Sequence, residues 1–247
     1  MDHSADTNAA IWQSGEIVKA WAAEEAERER KRADHRRFLT RLLPFGDEAF
    51  TFLDLGAGTG AASRAILEAH PRSTAILADF SAEMMRAGEQ EMQPFAGRYR
   101  SVEFDMSAAQ WPAAIPAALD AVVTSMCVHH LTDERKQGLF AEIFDHLAPG
   151  GWYFNYDLVR APDSLVEATW ERVNDRDDPE AAERRRHRTP QQQARWDNHV
   201  RYMIPLGQQL EYLRSAGFEG IDVYWKQLEN VLYGGRRPAG ANNHPTP

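Results

Sequence analysis

The segment FTFLDLGAGTG, residues 50–60, decides how the chain is expected to fold. Apolar and aromatic residues lead into an acid, and glycine then occupies every second position. Residues that favour helices follow at once, from Ala61 to Leu67. This pattern predicts a buried strand, a tight turn and the start of a helix. Glycines in such a turn permit positive φ and close approach of a ligand, and the helix N-terminus behind them attracts negative charge.

The glycine turn alone is compatible with two kinds of nucleotide ligand. Gly56, Gly58 and Ala61 satisfy the G-x-G-x-x-G/A spacing of dinucleotide-binding folds. Asp54 followed by the alternating glycines also resembles the first motif of class I S-adenosylmethionine (SAM) methyltransferases. In that family the acid helps to hold the ammonium end of the methionine moiety. The rest of the chain must therefore decide between the two ligands.

A second buried strand, residues 73–78, ends at Asp79. Nucleotide sites of α/β proteins place a carboxylate about 20 residues beyond the turn, where it binds ribose hydroxyls. Phe80 can lie against an adenine face, and Ser81 caps a helix that contains Met84. This order of strand, acid, capping serine and helix resembles the second methyltransferase motif. An ordinary acid at a helix start is the alternative interpretation of Asp79.

A third strand, residues 99–106, ends in Asp105 and Met106. In the resembled family, residues at these positions contact the adenine through a carboxylate and a backbone N–H. A fourth strand, residues 119–126, is nearly all apolar, as expected when both faces of a sheet are covered. The sequence APGG at residues 148–151 is predicted to form a sharp turn into a fifth strand, and it resembles the corresponding methyltransferase turn.

These landmarks together resemble class I SAM-dependent methyltransferases of the small-molecule type, and an NAD(P)-binding oxidoreductase remains the less favoured reading. The resemblance implies SAM as cofactor, bound at the carboxyl ends of the strands. The predicted cofactor-binding residues lie in the turns after these strands: Asp54, Gly56, Ala57, Gly58, Gly60, Asp79, Phe80, Met84, Asp105, Met106 and Ser125.

The implied fold is α/β, a three-layer Rossmann-like methyltransferase fold with a mostly parallel seven-stranded sheet, an antiparallel terminal strand and a helical lid. Two closing strands are predicted at residues 218–226 and 228–234. Their connection is too short for a right-handed helical crossover, so the last strand is expected to run antiparallel to its neighbour.

Four segments are predicted along the chain. Residues 1–45 form an N-terminal helical lid segment, with a helix over residues 11–43, and residues 46–158 form the SAM-binding core. Residues 159–205 form a helical insertion that covers the substrate, with a purely solvated insertion as the alternative. Residues 206–247 supply a helix and the closing hairpin. The charged run at residues 24–37 is interpreted as a solvated helix face.

His129 and His130 follow the fourth strand directly, at the sheet edge where α/β proteins bind ligands. This pair resembles small-molecule O- and N-methyltransferases, in which a histidine beyond the fourth strand can face the substrate. Methyl transfer is an in-line displacement that depends on proximity, and a hydroxyl acceptor benefits from a base such as histidine. Both residues are therefore predicted to be catalytic, with a structural role as the alternative for each.

The predicted substrate-binding residues are Tyr156, Trp196, His199 and Tyr202, for which packing in the core or lid is the alternative. Metal binding is a rival role for His129, His130, His199 and Asp157, whose side chains offer nitrogen and oxygen ligands. No close metal spacing such as His-x-x-x-His occurs, so no metal is predicted.

Composition limits the partners. The 247 residues are 43% hydrophobic and 26% charged, which is enough for a substantial core. The formal net charge of −9 disfavours a nucleic-acid partner, and no apolar run is long enough to span a bilayer. One cysteine and no signal-like N-terminus indicate the cytoplasm. We expect a small-molecule methyltransferase that acts on an O or N atom, with a homodimer as its possible assembly. A protein that binds SAM or its demethylated product without methyl transfer is the alternative.

Overall fold

The computed structural model describes residues 25–240, in which seven strands form one sheet. The strands are β1 (Thr51–Leu55), β2 (Thr74–Asp79), β3 (Tyr99–Glu103), β4 (Leu119–Ser125), β5 (Leu147–Leu158), β6 (Glu219–Gln227) and β7 (Asn230–Arg236). Their order across the sheet is β3-β2-β1-β4-β5-β7-β6. All neighbours are parallel except β7, which runs antiparallel to both β5 and β6. The predicted fold class and the antiparallel last strand are confirmed.

Nine helices of the described chain flank or extend this sheet. They are α1 (Glu25–Leu42), α2 (Ala61–Ala69), α3 (Ala82–Ala87), α4 (Glu89–Met92), α5 (Asp133–His146), α6 (Ser164–Asp177), α7 (Pro179–Arg186), α8 (Pro190–Val200) and α9 (Leu206–Ala216). Short 3-10 turns occur at Gln93–Phe95 and Val128–His130. The first part of the predicted lid helix, residues 11–24, lies outside the described residues. None of the described helices has the length and apolar character needed to cross a membrane.

Alternate side chains of the strands pack into two separate cores. Phe52 of β1 and Phe154 of β5 join a cluster on the face covered by α1 and α2. Leu53, Leu55 and Val122 belong to a second cluster on the face covered by α5 and α9. Because both faces of the central strands are buried, these strands read as nearly continuous apolar runs in the sequence.

The predicted turn at residues 148–151 lies inside β5 rather than before it. Leu147 already pairs with Leu119 of β4, and the register shifts before Trp152 pairs with Ala121. Gly150 has φ of 85° and donates its N–H to the Arg237 carbonyl at 3.0 Å. The glycines therefore bend a continuous strand while its backbone keeps hydrogen-bond partners, and the expected start of the strand at residue 152 is wrong by five residues.

A buried chain of hydrogen bonds joins β4, β5, β7 and α9. Thr124 Oγ1 donates to Asn155 Oδ1 at 2.8 Å, and Asn155 Nδ2 donates to Tyr233 Oη at 2.8 Å. Tyr233 Oη in turn donates to Gln209 Oε1 at 2.5 Å. Since these side chains are buried, each needs its partner to offset lost hydration. The network fixes the alignment of β5 between its two neighbours.

The order of the strands also determines where a ligand can bind. The chain runs from β1 outward to β2 and β3, and then returns to place β4 on the other side of β1. The connections after β1 and β4 therefore diverge to opposite faces of the sheet. The crevice at their carboxyl ends is the topological switch point at which open α/β sheets bind ligands.

Candidate active site

A cavity of about 300 Å³ lies at this switch point. Its walls come from the turns after the central strands, from α1 and from α8. All predicted cofactor residues except Gly60 line it: Asp54, Gly56, Ala57, Gly58, Asp79, Phe80, Met84, Asp105, Met106 and Ser125. Gly60 instead caps the start of α2 with φ of 79°. A Cβ at Gly60 would lie 2.8 Å from Met92 Sδ, so this glycine is needed for packing beneath the turn.

The glycine turn is held rigidly against β2. Gly56 donates its N–H to the Ala78 carbonyl at 2.8 Å, and Gly58 donates its N–H to Asp79 Oδ2 at 2.8 Å. Gly56 has φ of 76°, and a Cβ there would lie 2.7 Å from Cys127 Sγ. Both conformation and space therefore require glycine at this position.

Asp54 is a buried acid with one satisfied oxygen and one unsatisfied oxygen. Its Oδ2 accepts hydrogen bonds from Ser63 N at 3.0 Å and Ser63 Oγ at 2.7 Å. Its Oδ1 is buried and has no hydrogen-bond partner. Burial raises the pKa of Asp54 to about 6, against the opposing effect of the Ser63 hydrogen bonds. An unpartnered carboxylate oxygen at a cavity wall suits a cationic ligand group.

Asp79 ends β2 with both carboxylate oxygens directed at backbone donors. Oδ2 accepts from Gly58 N, and Oδ1 accepts from Ser81 N at 2.8 Å. Burial raises the pKa of Asp79, while these backbone hydrogen bonds oppose the rise. Each oxygen of a carboxylate has two lone pairs, so Asp79 keeps accepting capacity for hydroxyl groups of a ligand in the cavity.

His129, which lines the cavity, forms a buried pair with Asp157. The His129 N–H donates to Asp157 Oδ2 at 2.9 Å, and ring Nδ1 lies 2.5 Å from Asp157 Oδ1. Since a carboxylate accepts the hydrogen bond, the neutral ring carries its proton on Nδ1. Nε2 is then an unprotonated nitrogen, and it is buried with no hydrogen-bond partner.

His130 and His199 complete a cluster of three imidazoles. The His199 ring centroid lies 4.8 Å from that of His129 and 5.1 Å from that of His130. Burial lowers the pKa of His130 to about 2 and that of His199 to about 4, with neighbouring imidazoles adding to both effects. These two rings are therefore neutral at physiological pH. His199 is contributed by α8, so the predicted insertion does reach the cavity.

Tyr156, predicted to bind substrate, does not line the cavity. Its ring stacks on His35 with centroids 5.1 Å apart, and its hydroxyl lies 3.3 Å from His35 Nδ1. Successive side chains of a strand point to opposite faces, so Tyr156 turns toward α1 when Asp157 turns toward His129. Of these two neighbours, Asp157 contacts His129 and Tyr156 contacts His35 of α1.

Trp196 and Tyr202 also lie away from the cavity lining. Trp196 is 41% exposed, and its ring receives the Arg188 guanidinium at 4.3 Å from the centroid. The Tyr202 carbonyl accepts a hydrogen bond from the buried Nζ of Lys136, which fixes the end of the insertion to α5. Tyr202 thus anchors the insertion through its backbone.

Two arginines that the sequence analysis overlooked line the cavity. Arg32 and Arg36 lie one helical turn apart on α1, within the charged run interpreted as solvated. Arg36 is only 5% exposed, so that interpretation is wrong for this residue. The spacing of four between the arginines was the available signal, but acids and bases interleave throughout the run and conceal it.

Residues 52–151 match the family model described as a methyltransferase domain. Residues 52–151 therefore carry a methyltransferase domain. Its central motifs, read from the sequence as those of this family, fall within the matched residues and around the cavity. The predicted family is confirmed.

The methyltransferase domain has sequence and structural relatives. It is 30% identical over 105 residues to a trans-aconitate 2-methyltransferase of Azoarcus sp. (strain BH72), covering 42% of this chain and 38% of that protein. An O-methyltransferase family protein from Burkholderia thailandensis has a TM-score of 0.71 at 16% identity, over 96% of this chain and 64% of that one. Human N-acetylserotonin methyltransferase in complex with SAM has a TM-score of 0.64 at 15% identity, over 94% and 59%. The chain therefore spans less than two thirds of the length of these proteins.

Proposed function

We propose that the protein is a SAM-dependent methyltransferase that transfers a methyl group to an oxygen atom of a small organic molecule. One observation carries the proposal: a single cavity is lined by two buried residues that each keep an unpartnered polar atom, Oδ1 of Asp54 and Nε2 of His129. The first suits a cationic cofactor group, and the second suits the proton of an acceptor hydroxyl.

The residues around the glycine turn fit SAM. Asp54 Oδ1 would accept from the methionine ammonium, and Asp79 would accept from the ribose hydroxyls. Phe80 and Met106 would contact the adenine, while Asp105 would accept from its amine. Arg32 and Arg36 line the same cavity and supply positive charge for a carboxylate. When bound, SAM supplies an electrophilic methyl group on a positively charged sulfur.

His129 is the group that would take the acceptor proton. Its Nε2 would accept a hydrogen bond from the acceptor O–H, and it would receive the proton as the oxygen gains the methyl group. The positive charge that then forms on the ring would lie beside the buried Asp157 carboxylate, which also fixes the ring orientation. Asp157 is thus a positioning residue. His130 and His199, neutral at pH 7, would line the acceptor's binding site.

The names of the relatives indicate which classes of methyl acceptor to test first. The solved neighbours include O-methyltransferase family proteins, and the curated relative is named for trans-aconitate. A carboxylate acceptor is already ionised and requires no base, whereas an alcohol or phenol does. The buried His129–Asp157 pair therefore favours a hydroxyl acceptor. We further infer a cytoplasmic enzyme, since a single cysteine in 247 residues suits a reducing compartment.

Methyl transfer can be tested with labelled SAM and a panel of small hydroxylated and carboxylated molecules, with S-adenosylhomocysteine as the product detected. Once an acceptor is found, His129→Ala is expected to lower kcat about 10²–10⁴-fold while the Kd for SAM changes little. His187→Ala is a matched control, because its ring pairs with Glu183 on the surface. Unchanged kcat in His129→Ala would refute the base, and NADH bound in preference to SAM would refute the function.

A further inference from the structure

We propose that His129, His130 and His199 form a binding site for a divalent transition-metal ion such as Zn²⁺. Their ligand-capable atoms all lie within 4.8 Å of one another. Three imidazole ligands with an open fourth position are typical of catalytic zinc sites, and imidazole also suits copper, nickel and cobalt. The sequence offered these three histidines as possible ligands, but no metal was predicted because His199 is far from the other two along the chain and no close metal spacing occurs.

The ring positions are close to those that a tetrahedral ion requires. With metal–nitrogen distances of about 2.0–2.1 Å, the centroids of two imidazoles on one ion lie roughly 5 Å apart. The His129–His199 and His130–His199 centroids are already 4.8 and 5.1 Å apart. Those of His129 and His130 are 3.9 Å apart, so this pair must open by about 1 Å. Rotation of the less buried His130 ring can supply that change.

Asp157 gives the cluster a second feature of metal sites. A histidine that binds a metal commonly donates its other ring N–H to a carboxylate, which fixes the tautomer and strengthens the ligand. Asp157 accepts from His129 Nδ1, which leaves the buried Nε2 lone pair free of any hydrogen bond. An ion held by this nitrogen and by the two nearby imidazoles would satisfy it without any rearrangement of Asp157.

A bound ion would also join two parts of the molecule. His129 and His130 belong to the turn after β4, whereas His199 belongs to α8 of the insertion. The ion would use the same Nε2 lone pair that takes the acceptor proton, so metal binding and base catalysis exclude each other at this atom. The site is therefore tested by metal binding alone, without SAM or acceptor, and its failure leaves the proposed methyl transfer intact.

The test is a titration of untagged, chelator-treated protein with Co²⁺, whose visible absorption reports coordination by nitrogen ligands. We expect one equivalent to bind and Zn²⁺ to displace it. His130→Ala and His199→Ala should each abolish the absorption, and Asp157→Asn should weaken the affinity about 10–100-fold. His187→Ala alters an exposed histidine at the C-terminal end of α7, and this variant should bind Co²⁺ like the unmodified protein.

Thermal unfolding provides a second measurement that does not depend on a spectrum. An ion that binds only the folded protein raises its stability by about 2.7 kcal/mol at 100 times Kd. Zn²⁺ should therefore raise Tm in the unmodified protein and in His187→Ala, but not in His199→Ala. If unmodified protein binds no Co²⁺, or if His199→Ala binds it equally well, the proposed site does not exist. Circular dichroism of each variant establishes that it is folded.

Discussion

The burial of Asp54 disfavours the charged form of its side chain. The side chain is 1% exposed, and only Ser63 donates hydrogen bonds to it among the described residues. The difference between the ordinary pKa of 3.8 and the value of about 6 corresponds to a destabilisation of the ionised folded state on the order of 2–3 kcal/mol. A cationic ligand group next to Oδ1 would offset that cost. The stability that the folded protein loses to this buried charge is thus recovered when such a group binds.

Asp54→Asn is expected to raise the free energy of unfolding at pH 7 by roughly 2 kcal/mol and to abolish measurable SAM binding. The stability gain should shrink as pH falls from 6 toward 3.8, because the native carboxyl then becomes neutral as well. SAM affinity of the unmodified protein should fall over the same range, since the carboxylate is lost. Denaturant unfolding and calorimetry at pH 4, 5.5 and 7 measure both effects. A variant that is less stable at pH 7 would contradict this account.

At the scale of residues, the sequence predicted those site positions that depend on local chain geometry. Asp79 is the last residue of β2 and Asp54 is the last but one of β1. Both strands have a readable apolar run, and both acids lie beside a turn with its own glycine or serine signal. Tyr156 and Asp157 differ because the face of the sheet that each side chain occupies depends on how β5 pairs with β4. That choice is made by strand pairing across the sheet, which a single sequence does not display.

Among the elements, the junction of α3 and α4 packs against the glycine turn, residues 56–60. Gly88 lies between these helices with φ of −91°, a conformation open to any residue. A Cβ at Gly88 would nevertheless lie 2.1 Å from the Thr59 carbonyl oxygen. Glycine is required here because backbone contacts backbone. The short helices after β2 therefore help to fix the position of residues 56–60.

Gly88→Ala should displace the glycine turn, lower Tm by several degrees and weaken SAM binding at least tenfold, because the new methyl group and the Thr59 carbonyl cannot occupy the same space. Gly207→Ala is the matched control. It lies within α9 with nothing within 4 Å of its added Cβ, so it should leave SAM binding unchanged and Tm equal or higher. Differential scanning fluorimetry and calorimetry compare the two variants. Equal behaviour of both would show that the Thr59 contact is unimportant.

The helices of the insertion show which features of an element can be predicted from the sequence. A helical insertion was predicted, and the caps at Asp163, Asp178 and Thr189 explain where its three helices begin. Their contact with the core was predicted only in part. His199 lines the cavity, whereas the Trp196 ring turns outward and contacts Arg188. A short helix places only a few side chains on the face that packs against the core. Which face is covered depends on long-range packing.

Across the whole molecule, α1 and α8 contribute side chains to a cavity whose floor belongs to the sheet. The end of the insertion is anchored by the buried Lys136, which donates to the Leu131 and Tyr202 carbonyls. Burial lowers the pKa of Lys136 to about 8. We propose that these segments cover a bound ligand and open to release product.

Hydrogen exchange with and without S-adenosylhomocysteine tests this cover. Amides of α8 and of residues 32–42 in α1 should exchange more slowly with the ligand bound, because closure suppresses local opening. Peptides from β6, at the far edge of the sheet, serve as an internal reference and should not change. Protection limited to residues 56–60 would show that the helices do not act as a cover.

The antiparallel strand β7 has a consequence for how the protein is made. It is the last strand of the described chain, yet it fills an interior position and pairs Val231 with Asp157. While a ribosome is still producing the residues after β6, strand β5 has an open edge and the carboxylate behind His129 lacks one flank. Exposed strand edges attract other chains, so we expect the nascent protein to be prone to association until the hairpin of β6 and β7 emerges. The sheet behind the candidate active site is therefore complete only after β7 has been synthesised.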